Sequence, residues 1–144
     1  MYKVLNDRAI PSDAGVAIEY NIPQTSKRVD FMISGYDESD ESNIVIVELK
    51  QWESLEEVRG TDALVETYTG GAKRRVMHPS YQVLSYARLI YDYNASVQNE
   101  RVELHLCVCL HNYIRHTDAP LDAGQYKKSI WKRCWPIQKA SYLI

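Results

Sequence analysis

Ile44-Val45-Ile46-Val47-Glu48-Leu49-Lys50 is β-branched and apolar until its last three residues, where a carboxylate and an ammonium flank a leucine. Four such apolar residues in a row leave no face for solvent, so the segment reads as a central strand buried on both faces. Period-two geometry then places Glu48 and Lys50 on one side of that strand, ~7 Å apart along it. A buried strand that ends in two charged side chains suggests a built site at its C-terminal end.

Upstream, Gly35 to Asn43 is a turn-rich acidic connection, preceded by a strand from about Arg28 to Gly35. Alternation along it puts Val29, Phe31 and Ile33 on one face and Asp30 and Met32 on the other. Gln24 to Lys27 is a polar link, and Val16 to Ile22 is an alternating strand closed by Pro23. Downstream, residues 51–68 read as irregular or partly helical. Thr69-Gly70-Gly71-Ala72 breaks any element and opens a basic loop containing Lys73-Arg74-Arg75. His78-Pro79-Ser80 is a helix start, with proline where its missing N–H does no harm. An apolar stripe of Val83, Leu84, Ala87, Leu89, Ile90 and Tyr91 carries the helix from Tyr81 to about Asn94. Val102 to Tyr113 is a fourth strand, and the tail holds a helix near Gln125 to Arg133. The order β-β-β-α-β predicts a mixed central sheet flanked by helices.

With 144 residues, 45% hydrophobic and 25% charged, the chain has the size and composition of one globular domain. The expected division is a single domain over 1–144, with its core at about 10–115 and a poorly defined tail over 116–144. No run approaches the roughly 18 apolar residues of a membrane helix, and the N-terminus lacks a secretory h-region, so a cytoplasmic location is expected. Cys107, Cys109 and Cys134 form an odd set, read as free thiols. A net charge of −2 means that any polyanion is held locally rather than by the whole surface.

The chemistry lies in Asp30, Glu48 and Lys50. Asp30 sits among apolar residues, where a carboxylate is costly unless paired or metal-bound. If its strand neighbours the one ending in Glu48, the two carboxylates converge on one ion. Hard oxygen ligands favour Mg²⁺ or Mn²⁺, which also accept phosphate oxygens. Such an ion activates water and neutralises phosphate charge, and the Lys50 ammonium orients the water or stabilises developing charge.

Asp30 followed by Glu48-Leu49-Lys50 at a strand end resembles the signature of the PD-(D/E)XK nuclease superfamily, with Val29-Asp30 in place of Pro-Asp. Gln82-Val83-Leu84-Ser85-Tyr86 is similar to the QxxxY helix motif of its RecB-like and lambda-exonuclease-like branch; residues i and i+4 share a helical face. Ile22 to Phe31, Val47 to Trp52, Tyr68 to Gly71 and His78 to Gln82 look like the nuclease-like region that precedes a Schlafen-related P-loop DNA/RNA helicase domain in bacterial proteins. The likeness covers roughly residues 10 to 115.

This resemblance implies an α/β (α+β), restriction-endonuclease-like fold and a Mg²⁺-dependent (or Mn²⁺-dependent) nuclease acting on nucleic acid, DNA in preference to RNA. It implies metal ligation by Asp30, Glu48 and Leu49, and catalytic roles for Asp30, Glu48, Lys50, Gln82 and Tyr86. Lys27, Arg28, Lys73, Arg74 and Arg75 would hold nucleic acid. A P-loop ATPase or helicase would be the partner; the chain itself has no GxxxxGK[ST], so it looks like an isolated or truncated module. The superfamily's first core helix, which can carry another acid, has no counterpart in this reading.

Plainer accounts stand beside these. Glu-x-Lys on a strand is also an ordinary ion pair, Gln82 and Tyr86 also suit an amphipathic helix, and Lys73 to Arg75 also suit a solvated loop. Trp52 reads as a packing residue. His105, Cys107, Cys109 and His111 share a strand face, but four ligands along about 20 Å of extended chain cannot close one tetrahedral zinc site. Ser129 to Pro136 matches nothing expected and is given no function. The alternative to an enzyme is a catalytically inactive nuclease-like module that binds nucleic acid for an ATPase.

Overall fold

The computed structural model describes residues 10–114, 119–126 and 141–143. Its strands are β1 (Gly15–Asn21), β2 (Arg28–Tyr36), β3 (Ser42–Lys50), β4 (Glu56–Glu57), β5 (Leu64–Thr69), β6 (Ala72–Met77), β7 (Glu103–Leu110) and β8 (Ser141–Leu143). Its helices are α1 (Pro79–Tyr93) and α2 (Ala95–Asn99), with a 3-10 turn at Pro120–Asp122. The fold is mixed α+β. One sheet runs β1-β2-β3-β7-β8 and a second runs β4-β5-β6.

In the larger sheet β1, β2 and β3 are antiparallel neighbours, and β7 and β8 add parallel to β3 and β7. The central place of β3 follows from its residues: Ile46, Val47 and Glu48 are buried, with sheet on both sides. Helix α1 packs across β3 and β7 and buries Tyr81, Val83, Leu84, Tyr86, Ala87 and Ile90. That stripe, with Ile46, Leu106, Val108 and Leu110, forms the larger core cluster. Phe31, Val47 and Cys107 form a smaller cluster, backed by Ile33, Val45, Leu49 and Cys109.

The start of α1 lies where its residues place it. His78 is the N-cap and Pro79 occupies the first turn. The His78 Nδ1 accepts the Ser80 backbone N–H at 3.2 Å, which satisfies one of the orphan donors of a helix end. Its Nε2 therefore carries the proton and donates to the Leu121 carbonyl at 3.2 Å. Burial pushes the imidazole down to about 4, only partly opposed by the Leu121 bond, so it is neutral at pH 7.

Three expectations differ from the structure. Residues 51–68 are neither helical nor wholly irregular: they hold β4 and β5. Val65 and Thr67 point inward and are buried while Glu66 and Tyr68 point outward, a short period-two pattern that acidic and polar neighbours disguise. Gly70 and Gly71, with φ of 58° and 78°, close a two-residue hairpin between Thr69 and Ala72. Lys73, Arg74 and Arg75 consequently lie on β6 rather than in a loop, opposite Tyr68, Thr67 and Glu66.

Strand β2 also departs from the expected alternation. Phe31 and Ile33 share a face, but Val29 and its partner Tyr20 join the larger cluster. Alternation breaks opposite Asp30, at Glu19, whose φ of 52° is rare for a residue with a side chain. Pairing of β2 with β3 also ends there, at Phe31 and Val47. The tail helix expected over Gln125 to Arg133 lies, beyond Tyr126, outside the described residues, as do residues 1–9 and the Ser129 to Pro136 stretch. Among the described residues no helix is long and apolar enough to cross a membrane.

Candidate functional site

Where the β2–β3 ladder ends, Asp30 and Glu48 come together. The next pair in that register would be residues 30 and 48, but the Asp30 side chain takes over from the backbone: Oδ2 accepts the Leu49 N–H at 2.8 Å. This bond ties the aspartate to the Glu48-Leu49-Lys50 triplet. Both carboxylates line one polar cleft of about 550 Å³. Lys50, Gln82 and Tyr86 form its inner wall with them, and Asn21, Ser26, Lys27 and Arg28 form its lip.

Glu48 is the centre of the arrangement. It is 2% exposed. Its Oε1 accepts from Lys50 Nζ at 2.6 Å and from Gln82 Nε2 at 2.6 Å. The same Gln82 nitrogen donates to the Tyr86 hydroxyl oxygen at 2.8 Å, so one amide joins the strand carboxylate to the helix phenol. This is possible because residues i and i+4 of α1 face the same way. Glu48 Oε2, by contrast, is buried and has no hydrogen-bond partner among the described residues. Burial raises the Glu48 carboxyl above its usual range, against the opposing pull of the Lys50 bond and charge, and the Asp30 charge adds to the rise. Burial likewise raises the Tyr86 phenol.

An orphaned carboxylate oxygen in a polar cleft is costly unless something binds it. The donors available suit a hard divalent ion: two carboxylates supplied from neighbouring strands, with room for water. Mg²⁺ is commonly held by one or two carboxylates and keeps several waters. Among the described residues no group of three or more His, Cys, Asp or Glu side chains is arranged to hold a metal ion. Among the described residues Asp30 and Glu48 are the acids that line this cleft, and the polar atoms of Leu49, which also lines it, are those of its backbone.

The lip is built by a tight turn. Ile22 N–H donates to Lys27 O at 2.9 Å, Thr25 Oγ1 donates to Ile22 O at 2.9 Å, and Lys27 N–H donates to Thr25 Oγ1 at 3.0 Å. Lys27 and Arg28 are presented beside Asp30 by this turn, with Arg28 in an exposed 3.4 Å ion pair with Glu19. Asn21 of β1, paired with Arg28 of β2, carries no signal of its own in the sequence, because only the strand register brings it to the cleft.

The basic run over 73–75 is not brought to this cleft. Lys73 Nζ lies 2.9 Å from Glu56 and 3.0 Å from Glu66, Arg75 lies 3.4 Å from Glu66, and Arg74 donates to Gly70 O at 3.4 Å. These ion pairs leave its face of the hairpin close to charge balance. Among the described residues His105, Cys107, Cys109 and His111 form no metal-holding group either: His105 Nε2 is 2.6 Å from Asn43 Oδ1, Cys107 is buried, Cys109 is half-buried, and His111 lies past the end of β7. Comparison with protein-family models, with curated proteins and with solved structures finds no match for the chain.

Proposed function

We propose that the chain is a metal-dependent nuclease of the PD-(D/E)XK type, hydrolysing phosphodiester bonds of nucleic acid, DNA in preference to RNA. The observation that carries this reading is the Glu48 carboxylate: one oxygen locked by Lys50 and Gln82, the other buried without a partner beside Asp30. The motif resemblance and this geometry support the same five residues, Asp30, Glu48, Lys50, Gln82 and Tyr86. A Mg²⁺ or Mn²⁺ ion would be held by Asp30 and Glu48, with the Leu49 backbone as a further ligand, and would supply Lewis-acid polarisation of phosphate and acidification of bound water.

The chain's own residues do the remainder. Leu49 N–H fixes the Asp30 carboxylate, so the ligand is preorganised. Gln82 holds Glu48 Oε1 and so anchors it to α1, while the Tyr86 hydroxyl accepts from the same nitrogen. Lys50 Nζ carries three donors, of which one meets Glu48 and the others can meet a phosphate oxygen or an attacking water. Lys27 and Arg28 on the lip neutralise flanking phosphates. Action beside a P-loop ATPase or helicase, and a cytoplasmic setting, belong to the same proposal and rest on the resemblance alone.

The test is cleavage of single- and double-stranded DNA and RNA with Mg²⁺, Mn²⁺ or EDTA. Expected is divalent-dependent hydrolysis that falls by about 100-fold or more in Asp30→Asn, Glu48→Gln and Lys50→Met. Equal cleavage by all three variants overturns the assignments. Salt-sensitive binding without hydrolysis under either ion favours the non-cleaving, accessory reading instead.

A further inference from the structure

Trp52 stands two residues beyond Lys50, just past the end of β3. It is 8% exposed and belongs to the larger core cluster, as a packing residue would. One face of its indole is nevertheless turned toward the site: the Lys50 ammonium lies 5.6 Å from the ring centroid. Glu48 Oε1 lies 2.6 Å from the same nitrogen, and the Lys50 side chain is only 17% exposed. The ammonium is therefore bracketed between a carboxylate and an aromatic face, within the range at which the ring quadrupole attracts a cation.

We propose that Trp52 is the positioning residue for Lys50, keeping its ammonium at the cleft when a divalent cation shares the Glu48 carboxylate. The inference rests on the reading of Lys50 given above. A divalent ion drawn to Glu48 weakens that carboxylate's hold on the ammonium and adds a like charge nearby. A lysine has a long flexible stem, and with the carboxylate as its sole anchor it would swing toward water. An indole answers this need in a way a second acid would not. It attracts the ammonium through its π face, yet its only polar group is a donor, so it offers the incoming metal no ligand.

The experiment pairs a direct probe of Lys50 with kinetics. In carbon–proton correlation spectra, the Lys50 ε-methylene is expected upfield of other lysines because of the indole ring current, and to stay upfield in saturating Mg²⁺. Trp52→Phe keeps an aromatic face and most of the shift; Trp52→Leu loses it. In the cleavage assay, Trp52→Leu is expected to lower kcat by about 3- to 30-fold with KM and the Mg²⁺ midpoint unchanged, the size of a desolvated cation–π contact. Trp52→Phe restores most of that loss, and in a Lys50→Met background Trp52→Leu costs nothing further.

An ordinary Lys50 shift in the wild type overturns the proposal, and so does a shift that disappears on adding Mg²⁺. A kcat loss in Trp52→Leu that persists without Lys50 also overturns it, since the tryptophan would then act through packing alone. Because the spectra of the wild-type protein need neither turnover nor a variant, they judge the placement of Lys50 even if the nuclease reading fails or Trp52→Leu does not fold.

Discussion

Gln82→Leu isolates the single amide that joins α1 to β3. Leucine keeps the volume and helix propensity of glutamine, so the change removes hydrogen bonds and little else. Two are lost: one to a buried carboxylate at 2.6 Å and one to the Tyr86 oxygen at 2.8 Å. A hydrogen bond to a charged group contributes about 1.5–3 kcal/mol and a neutral one about 0.5–1.5 kcal/mol. The expected loss is about 2–4.5 kcal/mol, a large share of the 5–15 kcal/mol typical of a domain. Tyr86→Phe removes the phenol acceptor alone and should cost about 1 kcal/mol. Since both variants break the same Gln82–Tyr86 bond, the double variant should cost about 1 kcal/mol less than independent effects would. Urea unfolding followed by circular dichroism and by tryptophan fluorescence reads these values, with the slope unchanged if the native contacts elsewhere persist. Gln82→Leu within about 0.5 kcal/mol of wild type would refute the bridge from α1 to β3, and additive losses would refute the shared Gln82–Tyr86 bond within α1.

Acid should weaken the protein through His78. Its imidazole binds a proton below about 4 when folded and below 6.5 when unfolded, so this group's contribution is present above pH 6.5 and falls away as pH drops to 4. The loss over that window is about 3 kcal/mol, absent in His78→Gln, and an imidazole titration midpoint near 6.5 in the native protein would contradict it. Glu48 leans the other way: its raised carboxyl favours the protonated fold, stability that is present at acid pH and lost as pH rises through its folded value. The ΔG–pH profile of Glu48→Gln should accordingly lack that decline. Charge at the cleft lip should matter more than charge on the hairpin. Lys27→Ala should weaken DNA binding and lower the salt slope by about 1, while Lys73→Ala and Arg75→Ala leave both nearly unchanged. Anisotropy across a salt series checks this, and an equal effect of the hairpin residues would show that the Glu56 and Glu66 pairs do not neutralise them.

Much of the site was legible in the chain because it is written in short periods. The β-branched run into Glu48-Leu49-Lys50 predicts a buried strand with two charges on one side, and the structure has β3 central with Glu48 and Lys50 2.6 Å apart. Spacing of i and i+4 predicts that Gln82 and Tyr86 look the same way, and they meet through one amide. His78-Pro79-Ser80 marks the helix start through capping chemistry that is local by nature. The hairpin escaped notice because β5 alternates over only six residues, half of them polar, and Gly70-Gly71 signals a turn of either kind until its partner strand is known.

What pairing decides, sequence periodicity cannot reach. That Asp30 abandons the ladder to hold Leu49 N–H, that Glu19 breaks alternation opposite it, and that Asn21 arrives at the same cleft are consequences of register between distant segments. The ion pairs that balance Lys73 and Arg75 come from Glu56 and Glu66, on other strands. Residue types and local spacing determined which groups carry chemistry and which elements bear them. Tertiary structure decided which groups from distant segments meet, because contacts between strands depend on chain segments that local torsions do not connect.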